Sequence, residues 1–214
     1  MITVHSFVFN PFSENTYVLF DETKECVIID PGCFTKNEQE ELISFIQQKE
    51  LTPKMVLNTH CHIDHVLGNS FVKSKYNIPL WIPKEEVSTF NAVPAYAEPY
   101  GFAGYRHASA EHLIEEGEEI KFGNSVLKTI YAPGHSAGHV AFVNKEQKIC
   151  VSGDILFYGS IGRTDLPGGD FETLINSIHN KIFVLSDDTT VYCGHGQSTT
   201  IGHEKATNPF CAVS

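Results

Sequence analysis

The fold is decided by residues 56–65, which read Val56-Leu57-Asn58-Thr59-His60-Cys61-His62-Ile63-Asp64-His65. This stretch ends an apolar run and then supplies three imidazoles and one carboxylate, all of which are common metal ligands. Because side chains alternate between the two faces of extended backbone, we expect His60 and His62 to point one way and Cys61 the other. A turn into helix would then bring Asp64 and His65 to a second position nearby. Burying four such groups without a cation is costly, so the stretch predicts a metal site.

Three further ligand types follow later apolar runs, each directly after a glycine: His135, Asp154 and His195. The carboxyl ends of strands in α/β proteins often carry ligand sites, and glycine permits the sharp bend that such a position needs. Seven ligands suffice for two metal ions when one carboxylate bridges them. The predicted arrangement has Asp154 between two ions, one held by His60, His62 and His135 and the other by Asp64, His65 and His195.

The pattern of elements indicates a layered α/β protein. Short apolar runs rich in β-branched residues predict eight strands, and they alternate with helical segments. The clearest helix is 36–49, where Thr35 and Glu38 form a capping box. Residues 91–117 show no clear period and are predicted to form a structured loop. The predicted strands are 2–9, 16–20, 26–29, 54–58, 126–131, 140–143, 149–152 and 190–193, and the shorter helices are 66–76, 84–90, 170–180 and 198–206.

Composition limits the function classes. The 214 residues are 42% hydrophobic, enough for one domain with a sizeable core, and 15 basic against 26 acidic residues give a formal charge of -11. We therefore expect no nucleic-acid partner. The amino-terminal apolar residues lack preceding basic residues and are interrupted by polar ones, which favours neither a signal peptide nor a membrane span. Six cysteines without a C-x-x-C pair are expected to be reduced thiols, in a cytoplasmic protein without a membrane partner.

The motif T-H-x-H-x-D-H at 59–65, followed by His135, Asp154 and His195 after their strands, resembles the metallo-β-lactamase superfamily. The resemblance covers almost the whole chain and implies a four-layer αββα sandwich in a single domain, 1–214. More narrowly, the chain is similar to short glyoxalase-II-like thioesterases, in which the seven ligands group as above. It lacks the carboxyl-terminal helical domain that supplies glutathione contacts in longer members. The narrower likeness rests on Ile29-Asp30-Pro31-Gly32, Gly162-Arg163-Thr164-Asp165, Gly194-His195-Gly196 and Asn208-Pro209-Phe210.

This resemblance implies hydrolysis of a small thioester, such as S-lactoylglutathione, with one or two divalent cations as cofactor. Zinc is the expected metal, with iron or manganese as alternatives. The cation lowers the pKa of a bound water, which Asp64 and Asp154 are expected to hold as it attacks the carbonyl. The resemblance assigns Arg163 to a substrate carboxylate, although an ion pair with Asp165 is an equally good interpretation. His139 is predicted to orient a ligating carboxylate, with ordinary packing as its alternative.

Other activities on the same fold remain open. Persulfide dioxygenases share T-H-x-H-x-D-H and G-R-T-D but bind a single iron, which here would use His60, His135 and Asp154. A lactonase is a further alternative. Antibiotic-cleaving β-lactamases on this fold usually have a cysteine ligand at the position of Asp154 and are exported, and neither feature is expected here. A binding module without catalysis would have no evident reason to keep seven ligands.

Overall fold

The computed structural model describes residues 1–213 and divides into two compact units. The first unit comprises Met1–Ile114 and Lys121–Ser125, and the second comprises Glu115–Ile120 and the described residues from Val126 onward. Each unit holds its own apolar core, and each is described in turn.

The first unit contains a six-stranded sheet in which the strands lie in sequence order. Its first three strands are antiparallel, and the pairs from β3 to β6 are parallel. The parallel pairs place the carboxyl ends of neighbouring strands at one edge of the sheet. The strands are β1 (Thr3–Phe9), β2 (Glu14–Phe20), β3 (Glu25–Ile29), β4 (Thr52–Leu57), β5 (Leu80–Pro83) and β6 (His112–Ile114).

The helices of the first unit cover its apolar sheet face. The helix α1 begins with the predicted capping box, because Thr35 Oγ1 accepts from the Glu38 N–H and the Glu38 carboxylate accepts from the Thr35 N–H. Leu42 and Ile46 are buried in the same cluster as the strand residue Val56. The helices are α1 (Lys36–Gln48), α2 (Ile63–Val66), α3 (Asn69–Tyr76) and α4 (Val87–Tyr96), with a 3-10 turn at Lys84–Glu86.

The second sheet also has six strands, in the order β14-β13-β10-β9-β8-β7, and a two-stranded hairpin lies in the same unit. The core of the second unit packs helix residues such as Leu174 and Ile178 with strand residues such as Val143 and Cys150. The strands of this sheet and of the hairpin are β7 (Glu119–Phe122), β8 (Ser125–Tyr131), β9 (Val140–Asn144), β10 (Ile149–Gly153), β11 (Leu156–Phe157), β12 (Ser160–Ile161), β13 (Thr190–Cys193) and β14 (Thr199–Thr200). The end of β7 and the first residue of β8 fall within the 121–125 segment of the first unit, and the other strand residues belong to the second unit. Its helices are α5 (Phe171–Ser177), continued by a π-helical turn at Ile178–Ile182, and α6 (Ile201–Thr207).

All eight predicted strands are present, as are helices in all five predicted helical regions. The prediction of a structured loop over 91–117 is wrong at both ends, because α4 extends to Tyr96 and β6 occupies His112–Ile114. Phe90 and Val93 anchor α4 by burying one face of it, although Pro94 lies inside the helix. Among residues 1–213, no helix has the length and apolar character needed to cross a membrane.

Candidate metal centre

The first group of predicted ligands follows the paired ends of β3 and β4. These strands run parallel with Ile29 opposite Leu57, and the Asp30 N–H donates to the Leu57 carbonyl at 2.8 Å. Residues 58–62 are irregular, and α2 begins at Ile63. The end of β4 therefore leads into an irregular segment that carries His60 and His62, the latter with extended backbone, and the helix carries the next two ligands.

The four predicted ligands of the first unit lie close together. The ring centroid of His60 lies 4.8 Å from that of His62 and 4.2 Å from that of His65. The Nε2 atom of His65 lies 3.5 Å from Oδ2 of Asp64. Cys61 is fully buried in the apolar cluster, which agrees with its predicted orientation away from its flanking histidines.

Asp30 and Thr59 fix the orientation of two of these imidazoles. The Thr59 Oγ1 donates to Asp30 Oδ2 at 2.6 Å, so its lone pair accepts from Nδ1 of His60 at 3.1 Å. The same Asp30 oxygen accepts from Nδ1 of His65 at 3.2 Å. Both imidazoles thus carry the ring proton on Nδ1, and each Nε2 atom has a lone pair available to bind a cation.

Glu14 is a buried carboxyl beside this network. Burial raises its pKa well above the usual value; the nearby His65 opposes this shift, and the Asp30 carboxylate adds to it. The Thr16 hydroxyl accepts from the Gly32 N–H at 2.8 Å and donates to the Asp30 carbonyl at 2.9 Å. One hydroxyl hydrogen cannot also serve Glu14 Oε2, 2.9 Å away, so a neutral Glu14 would itself donate to Thr16.

The second group of predicted ligands follows strands of the second sheet. Strands β10 and β13 are parallel with Gly153 opposite Cys193, and the Gly194 N–H donates to the Gly153 carbonyl at 2.8 Å. This register places Asp154 beside His195, with Asp154 Oδ2 at 3.5 Å from the histidine Nε2.

The same Asp154 oxygen lies 3.5 Å from Nε2 of His135. His135 follows β8 after a turn at Gly134, whose φ of 128° lies in the region that favours glycine. A Cβ atom at Gly134 would lie 2.3 Å from the Leu174 backbone nitrogen, so a side chain has no room there. One carboxylate oxygen is therefore equally distant from two imidazole nitrogens.

Main-chain groups orient the ligands of the second unit. His135 Nδ1 donates to the Arg163 carbonyl at 2.8 Å, which leaves its Nε2 as the donor atom for a cation. His139 is fully buried; its Nδ1 donates to the Val140 carbonyl at 3.1 Å, and its Nε2 accepts from the Asp154 N–H at 3.0 Å. His139 thus contacts the main chain of Asp154, and its role in orienting a ligating carboxylate stays a prediction.

The Arg163 side chain forms a bidentate pair with Asp165. Its Nε and terminal nitrogen each donate to a carboxylate oxygen at 2.7 Å, and both side chains are more than half exposed. The hydrogen bond from Arg163 lowers the pKa of Asp165 to about 2. The alternative interpretation of Arg163 is therefore the one observed, and its contact with a substrate stays a prediction.

The family model of the metallo-β-lactamase superfamily matches residues 9–195. The chain belongs to the metallo-β-lactamase superfamily. It is 38% identical over 201 residues to a hydroxyacylglutathione hydrolase, GloC, of Haemophilus influenzae, with 93% of each chain covered. It is also similar to the crystal structure of a B3 metallo-β-lactamase, BLEG-1, at 36% identity and a TM-score of 0.90, covering 99% of this chain and 100% of the other. A third relative, TTHA1623, was crystallised in a di-iron-bound form and shows 34% identity, a TM-score of 0.85 and coverage of 96% and 99%.

Membership of this superfamily confirms the predicted α/β fold class, and it makes the chain a metal-binding hydrolase. The side chains fit that chemistry within each unit. Two ligand atoms bound about 2.0–2.1 Å from a tetrahedral ion lie roughly 3.4 Å apart. The three nitrogen–oxygen separations above are all 3.5 Å, longer than a good hydrogen bond and close to this spacing. Imidazole and carboxylate together suit zinc, iron and manganese.

Asp30, Thr59 and Glu14 were not among the predicted site residues. The Ile29-Asp30-Pro31-Gly32 motif was the signal that pointed to Asp30, and Thr59 belongs to the T-H-x-H-x-D-H motif. Gly32 has no room for a side chain, because a Cβ atom would lie 2.0 Å from Glu14 Oε2 and 2.8 Å from the Asp64 carbonyl. The Ile29-Asp30-Pro31-Gly32 motif therefore packs against the segment that carries Asp64. The role of Asp30 in orienting the histidines follows only from the three-dimensional structure.

Proposed function

We propose that this protein hydrolyses a thioester, with a hydroxyacyl thiol such as S-lactoylglutathione as its substrate. The observation that carries the proposal is the 38% identity, over 93% of both chains, to the relative named hydroxyacylglutathione hydrolase. The length of the match supports the same reaction class for this chain, because it includes all seven predicted ligands and the motifs that surround them.

The proposed centre joins the ligands of both units around two cations. His60, His62 and His135 would hold one cation, Asp64, His65 and His195 would hold the other, and Asp154 would bridge them. The 3.5 Å separations of one Asp154 oxygen from both His135 and His195 support this bridging role. Zinc is the proposed metal, and the di-iron-bound relative makes iron the first alternative.

A divalent cation supplies Lewis acidity, which makes water a nucleophile near neutral pH and polarises the thioester carbonyl. Asp64 and Asp154 orient the attacking water by accepting its hydrogens. Asp30 and Thr59 keep two imidazoles in the binding tautomer, and His139 holds the main chain at Asp154. The leaving thiolate, whose conjugate thiol has a pKa of about 8.5, departs without a proton donor. No side chain is therefore required as general acid.

The cellular compartment and the kind of partner are proposed from the state of the cysteines and from the composition. All six cysteines are buried and none forms a disulfide within residues 1–213, which suits a reducing compartment, and we propose the cytoplasm. The formal charge of -11 favours a small-molecule partner over nucleic acid.

The proposal is tested with the full chain loaded with zinc or iron and assayed on S-lactoylglutathione for thiol release, with an oxygen electrode in the same vessel. We expect thiol release without oxygen uptake, and its loss by at least about 1,000-fold in Asp154→Ala. Asp187→Asn serves as the matched control, because it removes an exposed carboxylate, paired with Lys205, from the same unit. Persulfide-dependent oxygen uptake by the iron-loaded protein, with no thioester cleavage, would show a dioxygenase instead.

A second candidate, β-lactam cleavage, is favoured by one observation, the 36% identity and 0.90 TM-score to the B3 metallo-β-lactamase. Both reactions place water on an activated carbonyl, so the same ligands would serve. Turnover of a chromogenic cephalosporin faster than of any thioester by the zinc-loaded protein would make it the primary activity.

A further inference from the structure

A cavity of about 580 Å³ opens in the first unit. It lies between the start of α1, one face of α3 and the segment 97–111, and none of the seven predicted ligands lines it. Its volume falls in the range of about 300–1,000 Å³ that is usual for small-molecule sites. The residues that matter for its chemistry are Phe34, Gln39, Leu67, Phe71, Lys75 and Arg106.

Two cationic side chains lie at this cavity and form no ion pair with a carboxylate of the described residues. Among residues 1–213, Lys75 and Arg106 form no ion pair or side-chain hydrogen bond. The neighbouring Lys73, by contrast, is held by Glu111 and by Ser109. Both Lys75 and Arg106 are exposed. Two uncommitted cations at one concavity focus a positive potential there.

Part of the cavity wall is apolar, and the rest is polar, with Gln39, Ser70 and Ser74 in the lining. Leu67 is only 5% exposed, and the half-buried Phe34 packs edge-on against the buried Phe102, with ring centroids 5.2 Å apart. Phe71 supplies a second half-buried ring on α3. The Gln39 side-chain nitrogen donates to the Phe34 carbonyl at 3.2 Å, so its amide oxygen can accept from a ligand.

We propose that this cavity is a second binding site, for a small organic anion with an aromatic or aliphatic body. The anionic group lies between Lys75 and Arg106, where the guanidinium offers a bidentate pair to a carboxylate, sulfonate or phosphate. The apolar body lies against Phe34 and Phe71. Inorganic anions alone bind weakly there, because they leave the apolar wall in contact with water.

The test uses 8-anilinonaphthalene-1-sulfonate, which combines aromatic rings with one anionic group, titrated by fluorescence into the full metal-loaded chain. We expect saturable binding that weakens at least about tenfold in the double variant Lys75→Gln/Arg106→Gln and also weakens as salt is added. The matched control is Lys128→Gln/Lys145→Gln, which removes two exposed cations outside the cavity and should leave the affinity unchanged.

Three results would overturn the proposal: no saturable binding by the wild type, equal affinity in the cavity variant and the control, or tighter binding of the uncharged analogue N-phenyl-1-naphthylamine. A loss of binding in Asp154→Ala would also do so, because it would locate the probe at the metal centre. Circular dichroism checks that the variants fold. If the double variant unfolds, each single variant is measured instead and is expected to weaken binding about threefold.

Discussion

An imidazole binds a cation well only when its ring is held in the binding tautomer, and hydrogen bonds to Nδ1 achieve this in three histidines of this chain. Thr59 accepts from His60, Asp30 accepts from His65, and the Arg163 carbonyl accepts from His135. The acceptors are a hydroxyl, a carboxylate and a main-chain carbonyl. Two of them are side chains that substitution can remove without touching a ligand.

Thr59→Val removes the hydroxyl between Asp30 and His60 and keeps the shape of the side chain. We expect it to weaken zinc binding about 10- to 100-fold, because the ring of His60 loses its acceptor. The measurement is competition with a chromogenic chelator. Thr59→Ser keeps the hydroxyl and should bind zinc as the wild type does, and equal affinities of the two variants would show that the hydroxyl does not orient the ligand.

Arg163→Gln separates the two interpretations of the Arg163 side chain. If the guanidinium holds a substrate carboxylate, KM for S-lactoylglutathione should rise about tenfold with little change in kcat. Asp165→Asn weakens the observed pair and should leave KM equal or lower, since the guanidinium becomes more available. A KM unaffected by Arg163→Gln would leave the ion pair as the only role of this side chain. The main-chain contact to His135 is retained in both variants.

The sequence was sufficient to predict seven candidate ligands, because each follows an apolar run or lies in one dense motif, and their binding of metal stays a prediction. It was not sufficient for the groups that orient them. Asp30 precedes His60 by thirty positions and meets the histidines only because β3 and β4 are parallel neighbours with Ile29 opposite Leu57. Such a contact depends on register, which local patterns do not specify.

Among the secondary-structure elements, the strands differ in how well their sequences predict them. The eight predicted strands correspond to β1 to β4, β8 to β10 and β13, whereas β5, β6, β7, β11, β12 and β14 have two to four residues each and are too short to stand out as apolar runs. These short strands gain their hydrogen bonds from neighbours distant in sequence. The β6 strand, for example, pairs Trp81 with His112 across the segment that was predicted to be a loop.

The turn between β2 and β3 is tied to the segment at residues 123–125 through Asp21. Its carboxylate accepts from the Thr23 and Asn124 main-chain N–H groups and from the Thr23 and Ser125 hydroxyls. Burial pushes the pKa of Asp21 upward, but the hydrogen bonds from Thr23 and Ser125 outweigh it, and the pKa lies below its usual value. The ionised form therefore stabilises the fold.

Asp21→Asn replaces an acceptor with a donor that faces other donors, and we expect a loss of about 2 kcal/mol in the free energy of unfolding at pH 7. Because the folded pKa is depressed, the stabilisation is present above the unfolded pKa of about 3.9 and is lost as pH falls through the folded pKa. The difference in Tm between wild type and variant should therefore shrink towards pH 2. Glu40→Gln, which removes an exposed ion pair with Lys36, is the control and should change Tm little at either pH. A difference independent of pH would contradict the role of the ionised carboxylate.

Thiol reactivity depends on the packing of both units, because all six cysteines are buried in one apolar core or the other. Burial raises the pKa of Cys26, Cys150 and Cys211 to about 12. At pH 8 only about one such thiol in 10,000 is ionised, so a disulfide reagent should react slowly with the folded protein. We expect six equivalents to react after unfolding and unchanged thioester turnover after native treatment. Rapid modification of one thiol with parallel loss of turnover would indicate a catalytic cysteine.

Ligands from both units are proposed to bind the same metal ions, and elemental analysis after dialysis against zinc tests this proposal. We expect about two zinc ions per chain in the wild type and a clear loss in both His60→Ala, from the first unit, and Asp154→Ala, from the second. A wild type that retains no metal, or variants that both retain the wild-type content, would contradict the account.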